Sequence, residues 1–148
     1  MDQMIEFARN HWILFSAMGL MLYLLLQDLF ETFTRKYSTL SPLGAVELMN
    51  NGEVTIIDVR EAAEFIGSHI ENAINIPSTK FDKRIDELRP FQNNPVLVSC
   101  QSGTQSPKAC SKLVKEGFQN VYLLKGGIQA WQDLNLPIRR SKPKHRGG

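Results

Sequence analysis

The sequence predicts an α/β domain, with a central, mostly parallel sheet flanked by helices, preceded by one N-terminal transmembrane helix. Three observations predict it: short β-branched runs that are apolar on both faces, helical patterns alternating with them, and an uncharged apolar segment near the N-terminus. At 148 residues there is room for one domain of ordinary size, with enough left over for an anchor or a tail.

The apolar segment comes first. No charged residue falls between Arg9 and Asp28 when His11 is counted as neutral, and "WILFSAMGLMLYLLL" fills Trp12 to Leu26. A helix crossing a ~30 Å hydrocarbon core needs about 20 mostly apolar residues, with 17 near the lower limit. The chain therefore divides into an N-terminal tail (1–10), a transmembrane helix (11–30) with Trp12, Tyr23 and Phe30 near the interfaces, and a linker (31–38). A cleaved signal peptide fits less well, since Asp2 and Glu6 oppose Arg9 before the run and no small-x-small site follows it. Arg35 and Lys36 after the helix place the domain on the cytoplasmic side of the membrane, as a single-pass protein with the lipid bilayer as a partner. The basic tail (139–148) would lie near a negatively charged leaflet or remain solvated.

In the body of the chain, residues 39–138, Ser41 and Pro42 read as the cap and first position of a helix that ends at Asn51-Gly52. Val54 to Val59, Ala73 to Pro77, Pro95 to Cys100 and Val121 to Leu124 read as buried parallel strands. Between and after them, "EAAEFIG", "TKFDKRIDELRP", "SPKACSKLVKEGF" and "GGIQAWQDL" carry helical patterns. Such a fold works at the carboxyl ends of its strands.

One strand ends at Cys100, and the uncharged stretch "QSGTQS" follows it. Ser106 and Pro107 read as the cap and first residue of the next helix, so the cysteine faces a helix N-terminus. The helix end and the free N–H groups of the loop lower a thiol pKa from its usual ~8.5. Gly103 is free to take a positive φ, and Ser102 and Thr104 supply hydroxyls, so the loop reads as a cradle for an anionic sulfur. Cys110 lies in the apolar pattern Ala109, Leu113, Val114, Phe118 and reads as core.

"IIDVREAAEFIGSHIENAINIP" (Ile56 to Pro77) resembles the first motif region of the rhodanese-like family, with Asp58, Arg60, Glu64, Phe65, Gly67, His69, Asn75 and Pro77 in place. "GFQNVYLLKGGIQAW" (Gly117 to Trp131) resembles its C-terminal motif. With its N-terminal helix, the whole chain resembles small membrane-anchored single-domain bacterial rhodaneses. The resemblance implies a sulfurtransferase in which Cys100 is the nucleophile and Gln101, Ser102, Gly103, Thr104 and Gln105 bind the substrate. The donor would be thiosulfate or a persulfide, the acceptor a thiol or cyanide, with a membrane or sulfur-relay protein as a further partner. Asp58, Arg60 and Ser106 are supporting candidates; the first two, with Glu64, read best as an ion-pair network that stabilises the fold. His69 reads as a hydrogen bond that pins its turn, and Trp131 as core. Family members often carry Arg beside the Cys and a second basic residue later in the loop, where this chain has Gln101 and Gln105. That lowers the expected affinity for thiosulfate.

Other classes fit poorly. A net charge of +2 gives no reason to expect nucleic acid, and the three histidines and two cysteines are too dispersed for a metal site, so no cofactor is expected. A cysteine phosphatase would need an Arg where Ser106 stands. The main rival is a non-catalytic, membrane-tethered protein-binding module on the same fold.

Overall fold

The computed structural model describes residues 1–33 and 37–141. Arg35, Lys36 and the basic tail beyond Ser141, on which the membrane orientation and leaflet readings rest, lie outside the described residues. Two compact units result, Met1–Arg35 and Lys36–Gly148.

In the first unit, the stretch expected to be a tail is the helix α1, Asp2–Asn10. Its sequence sets Met4, Ile5, Phe7 and Ala8 against Asp2, Glu6 and Arg9. α2 follows over Trp12–Phe33. Its portion Trp12–Phe30 is long and apolar enough to cross a membrane, and its side chains are exposed. The Phe7 ring packs on His11 at 4.6 Å and edge-on to Phe15 at 6.5 Å across the α1–α2 junction.

The second unit holds a five-stranded parallel sheet. Its strands are β1 (Ser38–Leu40), β2 (Thr55–Asp58), β3 (Ile74–Asn75), β4 (Val96–Ser99) and β5 (Val121–Leu124), in the order β1-β5-β4-β2-β3. The sequence places Ser38 in the linker and Thr39 and Leu40 at the domain edge, because "STL" is too short and too polar to announce a strand. β1 pairs with β5, from Ser38 opposite Tyr122 to Leu40 opposite Leu124, so a distant partner decides it.

The helices are α3 (Pro42–Asn50), α4 (Ala62–Gly67), α5 (Phe81–Arg84), α6 (Ser106–Lys115) and α7 (Gly127–Asp133). α3 starts as the sequence predicts, with Gly44 N–H donating to Ser41 Oγ at 3.1 Å and Pro42 in the first turn. The pattern "TKFDKRIDELRP" does not form one helix. α5 stands between 3-10 turns at Ser78–Lys80 and Ile85–Phe91, the second of which contains Pro90. Phe81, Ile85 and Leu88 are nonetheless buried.

Alternation along the strands feeds two cores. Ile57, Val96, Val98, Val121 and Leu123 face one side with α5 and α6, while Ile56, Leu97 and Leu124 face the other with Ala45 of α3 and Ile128 and Trp131 of α7. The chain leaves β2 outward to β3 but leaves β4 in the opposite direction to β5, so the sheet's topological switch lies between β2 and β4. The ends of those two strands, Asp58 opposite Ser99, sit side by side.

Candidate active site

Cys100 follows directly on β4 at the switch point and is fully buried. Its Sγ accepts a hydrogen bond from Gly103 N–H at 2.9 Å. That contact requires the chain to double back within three residues, which Gly103 permits with φ +90°. Burial of the sulfur opposes ionisation. The Ser106 hydroxyl and the N–H groups of Gln105, Ser106 and Gly103 outweigh it, and the Cys100 thiol is held below its ordinary value. Ser106 Oγ is buried and makes no hydrogen bond of ordinary geometry to any described group, so its proton is free to turn to a thiolate. Gln105 rather than Ser106 is the cap of α6, which places Ser106 in the first helical turn. The helix thus starts one residue earlier than the sequence predicts, and no side chain caps it.

The remaining loop residues divide. Gln101, Ser102, Thr104 and Gln105 are exposed. Ser102 Oγ and Thr104 Oγ1 lie 3.4 Å from each other, and no hydrogen bond joins either to the sulfur. Behind the loop sits the double glycine. Ile128 N–H donates to the Cys100 carbonyl at 2.8 Å and Gln129 N–H to the Gln101 carbonyl at 3.2 Å, so the N-terminus of α7 holds the loop backbone. Gly127 has φ +60°, and a Cβ there would overlap the Cys100 carbonyl oxygen. Its conservative replacement by any other residue is therefore blocked by space and by backbone conformation together.

Asp58 and Arg60, at the end of β2, form a buried ion pair with side-chain exposures of 1% and 3%. Asp58 Oδ1 accepts from Arg60 N–H and Nε, and Oδ2 from Nη2 at 2.8 Å. Arg60 Nη2 also donates to the Ser68 carbonyl, and Nη1 reaches Gln101 Oε1 at 3.3 Å. Asn75 Nδ2 donates to the carbonyls of Asp58 and Arg60. Glu64, expected in this network, stands apart from it: its carboxylate and that of Glu61 form a capping box at the start of α4. His69 stacks on Phe65 at 3.9 Å, and its Nδ1 lies 2.6 Å from the Phe65 carbonyl. Trp131 is buried and donates from Nε1 to the Pro137 carbonyl. Cys110 is buried, and burial first, then the neighbouring Cys100, pushes its thiol up to about 12.

A cleft of about 470 Å³ opens beside the loop, between the Ser78–Asp82 segment and α6. Thr104 and Gln105 belong to its wall. Apart from Ala109, which the apolar pattern of its helix marks as core, its other residues carry no signal in the sequence, since they lie on separate elements. Arg60's reach to Gln101, across 41 positions, was equally hidden. The double glycine was the one available signal, two small residues in a row before an amphipathic run. Among the described residues, no group of three His, Cys, Asp or Glu side chains could hold a metal ion.

Comparison with known proteins agrees with this geometry. Residues 41–134 match the Rhodanese-like domain. The chain is 32% identical to the uncharacterized protein YibN of Escherichia coli strain K12, over 96% of this chain and all of that one. It is 34% identical to the thiosulfate sulfurtransferase GlpE of Glaesserella parasuis serovar 5, over 73% of this chain and 94% of the relative. A crystal structure of a rhodanese-related protein from Thermoplasma volcanium superposes with a TM-score of 0.63 at 29% identity, covering 70% of this chain and 98% of that one. With its parallel sheet, the Cys100 loop at the switch point and a family match across most of the domain, the chain belongs to the rhodanese-like family.

Proposed function

We propose that the protein is a membrane-anchored sulfurtransferase that carries a sulfane sulfur on Cys100. The observation that carries this reading is the cradle itself, the Gly103 N–H on Sγ and a thiol held below its ordinary value despite burial. The Cys100 thiolate attacks the outer sulfur of a donor such as thiosulfate; the new S–S bond forms as the old one breaks, and sulfite leaves with the bonding pair. The persulfide anion on Cys100 then occupies the cradle. An acceptor thiolate or cyanide attacks its outer sulfur and expels the Cys100 thiolate, which closes the cycle. Cys100 has no exposed surface, so a donor reaches it when the loop 101–105 moves aside. The relative bearing the name thiosulfate sulfurtransferase supports this reaction class.

Arg60 is held by Asp58 and touches the loop only through Gln101, so it acts as a positioning residue. Anchoring through α2 to the inner membrane, with the domain on the cytoplasmic side, would confine exchange to partners at the bilayer surface, including membrane or sulfur-relay proteins. A non-catalytic binding module is the second reading. The absence of a cationic side chain among Gln101 to Gln105 favours it.

The test is the intact mass of the full chain in detergent after incubation with thiosulfate, beside Cys100→Ser. Gain of one sulfur that needs Cys100 and is reversed by cyanide is the expected result. No adduct from thiosulfate or from a small persulfide would transfer the reading to the binding module.

A further inference from the structure

The cleft beside the loop has more room than a five-atom inorganic donor needs; about 470 Å³ falls within the ~300–1,000 Å³ of sites for small organic ligands. Its floor is apolar, with Phe81 and Ala109 both in the same core cluster as Cys100. Its polar wall includes Thr104 and Gln105, from the loop that cradles the sulfur, so a molecule seated there lies against that loop.

The charges in the cleft are not balanced. Lys112 pairs with Asp82 across the opening, and each neutralises the other. Lys108, one turn earlier on the same face of α6, is exposed and forms no ion pair among the described residues. Arg60, which reaches the loop at Gln101, is committed to Asp58. Lys108 is therefore the uncompensated charge of the cleft, and it sits outside the loop, a few residues beyond the positions where Gln101 and Gln105 offer none.

We propose that this cleft seats the organic body of a small thiol persulfide bearing a carboxylate, and that Lys108 recognises the carboxylate. The proposal rests on the sulfurtransferase reading and names its donor class. In the step, Cys100–S⁻ attacks the terminal sulfur of R–S–SH. The Cys100–S bond forms, the R–S–S bond breaks, and its electron pair leaves with R–S⁻. The proton stays on the transferred sulfur, giving Cys100–S–SH with no net oxidation or reduction. The apolar part of R covers Phe81 and Ala109, which keeps the body of the donor outside while its terminal sulfur enters the loop.

The experiment compares two donors that differ only in charge, N-acetylcysteine persulfide and the persulfide of N-acetylcysteine amide, on the full chain in detergent micelles. Initial rates of Cys100 loading are read by intact mass. In the wild type the acid should load about three to five times faster than the amide, the effect of a partly exposed ion pair. The preference should shrink as salt is raised, vanish in Lys108→Gln and return in Lys108→Arg. Equal rates for acid and amide in the wild type, or a preference that survives in Lys108→Gln, would overturn the cleft assignment while leaving the sulfurtransferase reading intact. Failure of every donor, thiosulfate included, to load Cys100 would overturn both.

Discussion

Replacement of Ser106 by Ala isolates the electrostatics of the sulfur from the packing around it. The Ser106 hydroxyl is buried, has no hydrogen bond of ordinary geometry, and is the leading group favouring the Cys100 thiolate against burial. A hydrogen bond to a charged group is worth about 1.5–3 kcal/mol, and the lower end suits a large, soft acceptor. At about 1.36 kcal/mol per unit, the thiol pKa of Ser106→Ala should rise by about one unit. The assay is the pH profile of Cys100 alkylation, with thiolate absorbance as a second reading. Well below both pKa values the variant should react about three- to fourfold more slowly, because the loss of thiolate is only partly offset by the greater nucleophilicity of a more basic sulfur, and the midpoint of its profile should lie at higher pH. Stability follows the same linkage. The folded-state pKa is lowered, so thiolate stabilisation is present above the unfolded value of about 8.5 and is lost as pH falls through the folded one. Ser106→Ala should therefore be less stable than wild type only where the folded thiol is ionised, since at lower pH it loses no hydrogen bond. An unchanged profile, or an equal stability loss at every pH, would refute the assignment and leave Ser106 a space-filling residue.

Three further outcomes follow from the same geometry. Asp58→Ala strands a buried guanidinium and should cost about 3–5 kcal/mol, read as a lower urea midpoint; a loss under about 1 kcal/mol would show the pair to be dispensable. Gly127→Ala forces a Cβ onto the Cys100 carbonyl in a left-handed backbone that itself costs about 1–2 kcal/mol, so Cys100 loading should fall at least tenfold while far-ultraviolet circular dichroism retains the sheet. Cys110, with its thiol pushed up to about 12, should stay unlabelled by iodoacetamide at neutral pH in the native chain, whereas Cys100 is labelled; labelling of Cys110 in Cys100→Ser would contradict the desolvation that holds its thiol protonated.

The α/β architecture was legible because Val54 to Val59 and Pro95 to Cys100 are β-branched runs with no polar face, and only a sheet covered on both sides accommodates them. Cys100 was legible because it closes such a run before a glycine-containing loop. What sequence could not supply was pairing between distant segments. β1 exists because β5 receives it, and Arg60 meets Gln101 because β2 and β4 are neighbours. The broken helix at Phe81 misled because its apolar positions bury correctly whether the backbone is α or 3-10. Lys108 carried no signal of its own. It matters only once α6 and the Ser78–Asp82 segment face each other across the cleft.

The attachment of the Cys100 loop to α7 has a consequence for biosynthesis. The carbonyls of Cys100 and Gln101 find their donors in Ile128 and Gln129, near the end of the domain. A nascent polypeptide that has emerged only through α6 already contains Cys100, but the carbonyls of Cys100 and Gln101 still lack these donors. Fixing of the Cys100 loop is thereby tied to synthesis of α7, and a fragment that stops at α6 carries the cysteine on a loop whose backbone is not yet held.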